Sequence, residues 1–332
     1  MVYDGGGRMA LDKGHGRIVL YSGSGCPNLA AEISQELDVP LGGREAGKFA
    51  NDNTFVRLHE SVRGQDAFVI QTTAAPVNDN LMELVIFIDT LKRASAGRVT
   101  AVIPYLAYGR SDKKDQPRVP ITSRLVADMI QIAGADRYIT LDLHAGQIQG
   151  FFSIPGDALT SFPLLADYMR QKDLQNAVVV SADLGFAKKA RSFAEELDLP
   201  VAFVEKRRVG SHTAALTVIG AVEGKDVIIV DDEVDTGGTM CDDIQVMKKA
   251  GARDVYCCFI HALFSGHAVD ALSAQPIKEI VTTNSVRLHP GVRERLPNLT
   301  VLSVAPLLAG VIQRVHAGRS VGKMFKPYHG YS

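Results

Sequence analysis

Short runs rich in valine and isoleucine recur along the chain, separated by longer amphipathic stretches. That alternation constrains the fold more than any other feature, because strands that follow helices at this spacing line up mainly in parallel with helices covering the sheet. Strands are predicted over 17–21 (RIVLY), 67–72 (AFVIQT), 99–104 (VTAVIP), 137–143 (RYITLDL), 177–183 (AVVVSAD), 226–232 (DVIIVDD) and 254–261 (DVYCCFIH). Helices fit between them as LMELVIFIDTLKRA, SRLVADMIQIAG, GFAKKARSFAEEL and TMCDDIQVMKKAG. The fold class is α/β.

At 332 residues the chain is about twice the usual size of one domain. It also repeats itself. Glu36-Leu37-Asp38-Val39-Pro40 returns as Glu196-Leu197-Asp198-Leu199-Pro200, and Gly64-Gln65-Asp66 returns as Gly224-Lys225-Asp226, both 160 residues later. Gly97-Arg98-Val99 matches Ala252-Arg253-Asp254-Val255 more loosely. Two copies of one α/β unit are expected, over 17–158 and 159–305, with a boundary near FFSIPGDALTSFP (151–163). Residues 1–16 read as a flexible tail, and a late helix within 306–325 as a segment returning to the first unit.

Composition removes several classes of function. With 36 Lys and Arg against 37 Asp and Glu, no global field draws the chain to nucleic acid or anionic lipid. No continuous apolar stretch approaches the length of a membrane span, and no secretory leader is visible. Cys26, Cys241, Cys257 and Cys258 form no Cys-x-x-Cys pair, which fits a reduced, cytoplasmic protein.

The strongest local signal is VIIVDDEVDTGGTM, residues 227–240. An apolar strand ends in Asp231 and Asp232, and Asp235-Thr236-Gly237-Gly238-Thr239 turns directly into a helix. Two glycines let backbone amides converge on a phosphate, Thr236 and Thr239 add hydroxyls, and the helix start contributes its unpaired N–H groups. Asp231 and Asp232 are placed to accept hydrogen bonds from ribose hydroxyls or to face a metal through water. The loop is neither a Walker A motif nor Gly-x-Gly-x-x-Gly.

This loop resembles the phosphoribosyl-diphosphate loop of the type I phosphoribosyltransferase fold. HESVRGQDAFVIQT, NDNLMELVIFIDTLKRASAGRVTAVIPYLAYGRSDKKD, AGADRYITLDLHAGQIQGFFSIP, FVEKRR and VTTNSVRL narrow the resemblance to the ribose-phosphate diphosphokinases, over roughly 17–320. It implies two phosphoribosyltransferase-like domains with the active site between them. The implied reaction moves the diphosphoryl group of MgATP to the 1-hydroxyl of ribose 5-phosphate, giving phosphoribosyl diphosphate and AMP. Mg²⁺ is the implied cofactor, and a homohexamer built from dimers the implied assembly, with phosphate or ADP as effector.

Residue by residue, the resemblance implies an adenine-contacting loop at Phe49, Asn51, Asp52 and Asn53, where a carboxylate is usual in place of Asn53. It assigns Arg110, Ser111 and Asp112 to ATP, with Ser111 shorter than the usual Gln. His144 and Asp183 are the implied metal-site residues. His144 follows Asp142 by two positions, so both side chains can project from the sheet edge on one face; the imidazole either meets Mg²⁺, directly or through water, or bonds the ATP phosphates. Lys206 and Arg208 are the implied catalytic cations, brought over the transferring group by the connection around 210–213, and Arg208 also serves the ribose-5-phosphate site. Arg118 is either a regulatory contact or a boundary residue. Phe186 replaces a glycine and is expected to crowd a close ligand, Ser153 replaces an aspartate, and Asp157 is kept. A phosphoribosyltransferase and a weakly active regulatory homologue are the alternatives.

Overall fold

The structure, a computed structural model, describes residues 15–172, 174, 176–182, 185–209 and 213–324, with side chains throughout except at 206–209, 213–216 and 323. The first half runs β1 (Ile18–Ser22), α1 (Pro27–Leu37), β2 (Arg44–Lys48), β3 (Thr54–Leu58), β4 (Asp66–Ile70), α2 (Val77–Arg93), β5 (Arg98–Ile103), α3 (Thr122–Ile132), β6 (Arg137–Leu141) and β7 (Gly156–Leu159). The second runs α4 (Phe162–Arg170), β8 (Ala177–Ser181), α5 (Ala187–Glu196), β9 (Val201–Val209), β10 (Thr213–Ile219), β11 (Asp226–Val234), α6 (Gly238–Lys249) and β12 (Val255–Ala262). It continues through α7 (Ala268–Ser273), β13 (Glu279–Thr283), α8 (Val292–Arg295), β14 (Leu299–Leu302) and α9 (Ala305–His316).

The two halves share one topology. In the first, β1-β4-β5-β6-β7 form a parallel sheet, and β2 and β3 make a separate antiparallel hairpin. In the second, β8-β11-β12-β13-β14 are parallel in the corresponding order, and the hairpin β9-β10 is joined to the edge at β8. The central strands are buried end to end, as all five residues of β4 and β8 show. Strands covered on both faces read as continuous apolar runs rather than alternating ones.

The sequence repeat marks equivalent backbone turns. Asp38 and Asp198 both lie in the left-handed region after α1 and α5 (φ 51° and 55°), and the next residues, Val39 and Leu199, donate back to Ser34 and Ala194. An aspartate enters that region more readily than most side chains. Gly64 and Gly224 have φ 70° and 69°, and their amides donate to Ser95 and Gly251 at 2.8 Å in each case. Directly after them, Asp66 takes a two-pronged bond from Arg98 (2.8 and 2.5 Å), and Asp226 takes one from Arg253 (2.8 and 2.7 Å). Each pair ties the first residue of a central strand to its neighbour.

The helices exchange partners. α4 follows the first sheet but packs on the second, where Phe162, Leu165 and Met169 join Val179, Ile228 and Val230. α9 follows the second sheet and covers the first, where Leu308, Val311 and Ile312 meet Leu20, Phe68 and Ile70 beside α1. His316 at the end of α9 is 2.8 Å from Asp66 Oδ2, and Arg98 donates to the Val315 carbonyl at 3.1 Å. Among the described residues no helix is long and apolar enough to cross a membrane.

Asp66 is fully buried and faces both the Arg98 guanidinium and the His316 ring, whereas the Arg253 partner of Asp226 is more than half exposed. Removing Asp66 leaves Arg98 buried without its anion, at a cost of about 3 kcal/mol or more; Arg253 can turn to water instead. Urea unfolding should therefore show a larger loss for Asp66→Ala than for Asp226→Ala, and equal losses would contradict this account of the α9 anchor.

Candidate active site

The carboxyl ends of the two parallel sheets face each other, the place where open α/β sheets bind ligands. Between them lies a cleft of about 500 Å³ lined from both halves. Arg110, Asp112, Lys113, His144 and Gln147 enter from the first half, and Lys189 with the run from Asp231 to Met240 from the second. Arg110, Asp112, His144, Asp231, Asp232, Asp235, Thr236, Gly237, Gly238 and Thr239, singled out from sequence, therefore converge.

The phosphate loop has the geometry its residues require. Gly237 caps α6 with φ 78°, a conformation costly for a side chain. At Gly238 an added Cβ would meet nothing closer than Thr236 Oγ1 at 4.0 Å, so the space beside this residue is open to the cleft it lines. The first-turn amides of α6 lack carbonyl partners one turn back, so the loop is a cradle for an anion.

Several contacts span the cleft. His144 Nδ1 lies 2.8 Å from Asp232 Oδ2. Arg110 Nε lies 2.5 Å from Glu233 Oε1, and Lys189 Nζ donates to the Leu143 carbonyl at 3.2 Å. The His261 and Tyr105 rings meet edge to face at 4.9 Å. His261 also bonds Ser285 Oγ at 2.9 Å and the backbone at the end of β6, and its burial lowers its pKa to about 4. It is thus a neutral strut between the sheets. The Asp232 hydrogen bond raises the His144 pKa despite partial burial. Burial pushes Asp232 upward, but the His144 bond and charge hold it down at about 2.

Other residues lie elsewhere. Asp142 does not share the cleft with His144: a left-handed φ of 42° turns it away, and its carboxylate accepts from Thr160 Oγ1 and the Ser161 amide, both at 2.7 Å. Burial raises its pKa, against the opposing effect of the Thr160 bond. Ser111 is held by its backbone, donating to Tyr108 and accepting from Ser123. Asp157 pairs with Arg137 at 2.7 Å. Phe186 borders the cleft, but its ring is buried against Phe162 with Lys189 Nζ 5.2 Å above it. Phe49, Asn51, Asp52 and Asn53 form the tip of the β2-β3 hairpin outside the cleft lining, with Phe49 58 % exposed and its ring tilted against Phe55. Arg118 is exposed, with φ 67°.

Asp183 lies outside the described residues. Lys206 and Arg208 are described in their backbone alone: they occupy β9 opposite Leu216 and Ala214, two positions apart and hence on one face of the pleat. They therefore sit on a hairpin arm and not within a loop.

Two family profiles match the chain: the N-terminal domain of ribose phosphate pyrophosphokinase at residues 18–134, and the phosphoribosyl synthetase-associated domain at 207–326. A ribose-phosphate pyrophosphokinase of Caldanaerobacter subterraneus is 47 % identical over 310 residues, covering 93 % of this chain and 98 % of that protein. One from Campylobacter jejuni is 45 % identical over 307 residues, or 92 % and 98 %. The crystal structure of phosphoribosylpyrophosphate synthetase from Mycobacterium smegmatis superposes with a TM-score of 0.87 at 42 % identity, covering 91 % of this chain and 99 % of that one.

The chain belongs to the ribose-phosphate pyrophosphokinase family.

Within this pyrophosphokinase fold, the cleft residues Lys189, Glu233 and Gln147, and the Tyr105–His261 contact between the halves, were not singled out by sequence reasoning. Gln147 donates to the Asp112 carboxylate. Only Glu233 carried a local signal, as a third acid following Asp231 and Asp232. The lining also bears on a metal. Among the described lining residues, Asp112, Asp231, Asp232, Glu233 and Asp235 outnumber Arg110, Lys113 and Lys189, a balance that suits phosphates accompanied by a cation. Among the described residues no three potential ligands form a closed metal cage. This donor set suits a hydrated Mg²⁺ that shares phosphate oxygens with its ligand, since that ion keeps several waters and uses one or two carboxylates.

The pH dependence follows from the cross-cleft pair. With its pKa raised, His144 contributes stability that is complete below about pH 6.5, its unfolded value, and is lost as pH rises through the folded one. Asp232, depressed to about 2, contributes above about pH 4 and loses its share as pH falls. Thermal unfolding of the ligand-free protein should place Asp232→Asn below the parent by its widest margin near pH 5–6, shrinking toward pH 9. A margin that widened on the alkaline side would contradict the pairing.

Proposed function

We propose that this chain transfers the β,γ-diphosphoryl group of MgATP to the 1-hydroxyl of ribose 5-phosphate, forming phosphoribosyl diphosphate and AMP, as a transferase of nucleotide biosynthesis. The observation that carries the reading is the single cleft to which both halves contribute: an anion cradle from one and phosphate-directed cations from the other. The sugar phosphate rests against Thr236, Thr239 and the α6 amides, with Asp231 and Asp232 receiving its ring hydroxyls. Arg110 meets the nucleotide phosphates beside His144 and Asp112. Bound Mg²⁺ supplies neutralising charge on the phosphate oxygens.

The sugar O1 attacks the β-phosphorus in line, and the bond to the α,β-bridging oxygen breaks as AMP departs. Negative charge grows on the transferring and leaving oxygens, where positioned cations lower the barrier. Lys206 and Arg208 supply that charge from the β9-β10 arm, and Asp183 assists with the metal. The exposed Phe49 and its neighbours at 51–53 lie outside their own chain's cleft lining, which supports an assembly in which one subunit's hairpin completes the adenine site of the next, within a homohexamer of dimers. Arg118, also outside the lining, is left for a phosphate or ADP effector. Four buried free thiols fit a cytoplasmic location.

The test is direct assay of AMP and phosphoribosyl diphosphate from ribose 5-phosphate and MgATP. Lys206→Ala and Arg208→Ala should each lower turnover by about 10² while changing ribose 5-phosphate binding much less, the signature of transition-state stabilisation. Turnover retained in both substitutions would remove these residues from the chemistry. Consumption of phosphoribosyl diphosphate with a base would identify a phosphoribosyltransferase instead.

A further inference from the structure

Glu233 stands near the end of β11, two residues before the Asp235–Thr239 loop, yet no phosphate chemistry calls for an acid there. It is buried, paired in register with His261 on β12, and directed across the cleft at the first half. Its Oε1 is 2.5 Å from Arg110 Nε, and its carboxylate also accepts a bond from the Tyr105 hydroxyl. Asp235 Oδ2 lies 3.8 Å from the same guanidinium. Arg110 itself is about half exposed, so its outer edge faces the cleft while its inner edge is held. Glu233 also borders an adjoining hollow of about 590 Å³ shared with Tyr105 and Arg110.

An arginine with a carboxylate at contact distance presents an incoming phosphate with a dipole more than a full charge. The phosphate must share the guanidinium with Glu233 or draw it away, and both reduce the net gain from the new bond. We propose that Glu233 is an affinity-setting residue for the polyphosphate: an internal counter-anion that competes for Arg110, fixes its orientation and limits how tightly the nucleotide phosphates bind. The inference rests on the assignment of Arg110 to ATP made above. It concerns strength of engagement and assigns Glu233 no part in bond making, so Glu233 acts as a positioning residue through Arg110.

A double-mutant cycle tests it, using calorimetric binding of ATP and of inorganic tripolyphosphate in the presence of Mg²⁺. Glu233→Gln keeps the shape and an acceptor for Tyr105 while removing the charge, and should bind both probes at least about fivefold more tightly than the parent, within the range of coupling between contacting groups. In turnover the same change should appear as a lower KM for ATP, with kcat not increased. Glu233→Asp, which retains the charge but draws it back by one methylene, should give a smaller gain of the same sign and serves if the Gln variant does not fold. In an Arg110→Ala background the gain should disappear. Unchanged or weaker binding by both Glu233 variants overturns the proposal, as does a gain that persists without Arg110, because the acid would then act on the phosphates by its field alone. A parent that binds MgATP and makes product while the cycle shows no coupling defeats this inference only; a parent that neither binds MgATP nor makes product defeats the reading of the site itself.

Discussion

The contact on which the site depends is the bond between His144 and Asp232, because it joins the carboxyl ends of two parallel sheets that belong to different halves of the chain. A parallel sheet gathers loops and helix starts at one edge, and each half alone offers only part of a site. Placed edge to edge, the halves turn the ends of β5 and β6 toward the end of β11. His261 and Tyr105 keep that spacing with an uncharged contact beside the charged ones. The exchange of α4 and α9 makes the arrangement durable, since each sheet is covered in part by the helix that follows the other.

Duplication explains much of what was legible in the sequence. The repeated Gly-x-Asp segments could be paired because they specify a positive φ followed by an anchoring carboxylate, a requirement that survives drift elsewhere. Every strand read from a Val- and Ile-rich run exists within a residue or two of its expected ends. The strands that escaped include β2 (REAGK), whose composition carries no β pattern, its partner β3, the hairpin strands β9 and β10, and β7, which lies inside a stretch dominated by Pro, Gly and aromatics. β13 and β14, the latter at the sheet edge, also escaped, being short runs whose length gives periodicity little to work with.

The candidate site was legible where its parts are consecutive in the chain. Asp231 to Thr239 is such a segment, with strand end, turn glycines and helix start consecutive in the chain. Residues whose purpose comes from the opposite half were not visible: Lys189 reads as one more charge on an amphipathic helix, and His261 as a histidine in an apolar strand. Asp142 shows the converse. Its spacing from His144 suggested a shared face, but a left-handed backbone at that residue breaks the alternation on which the argument relied.

The account's central claim is electrostatic. Among the described residues, carboxylates outnumber lysines and arginines in the cleft, so polyphosphate should enter only with its own neutralising cation. Calorimetric titration of ATP into the protein, first with Mg²⁺ and then after chelation, measures this most directly. Binding should weaken on chelation by at least about tenfold, equivalent to roughly 1.4 kcal/mol, and return when Mg²⁺ is restored. Equal affinity with and without the metal would contradict the claim.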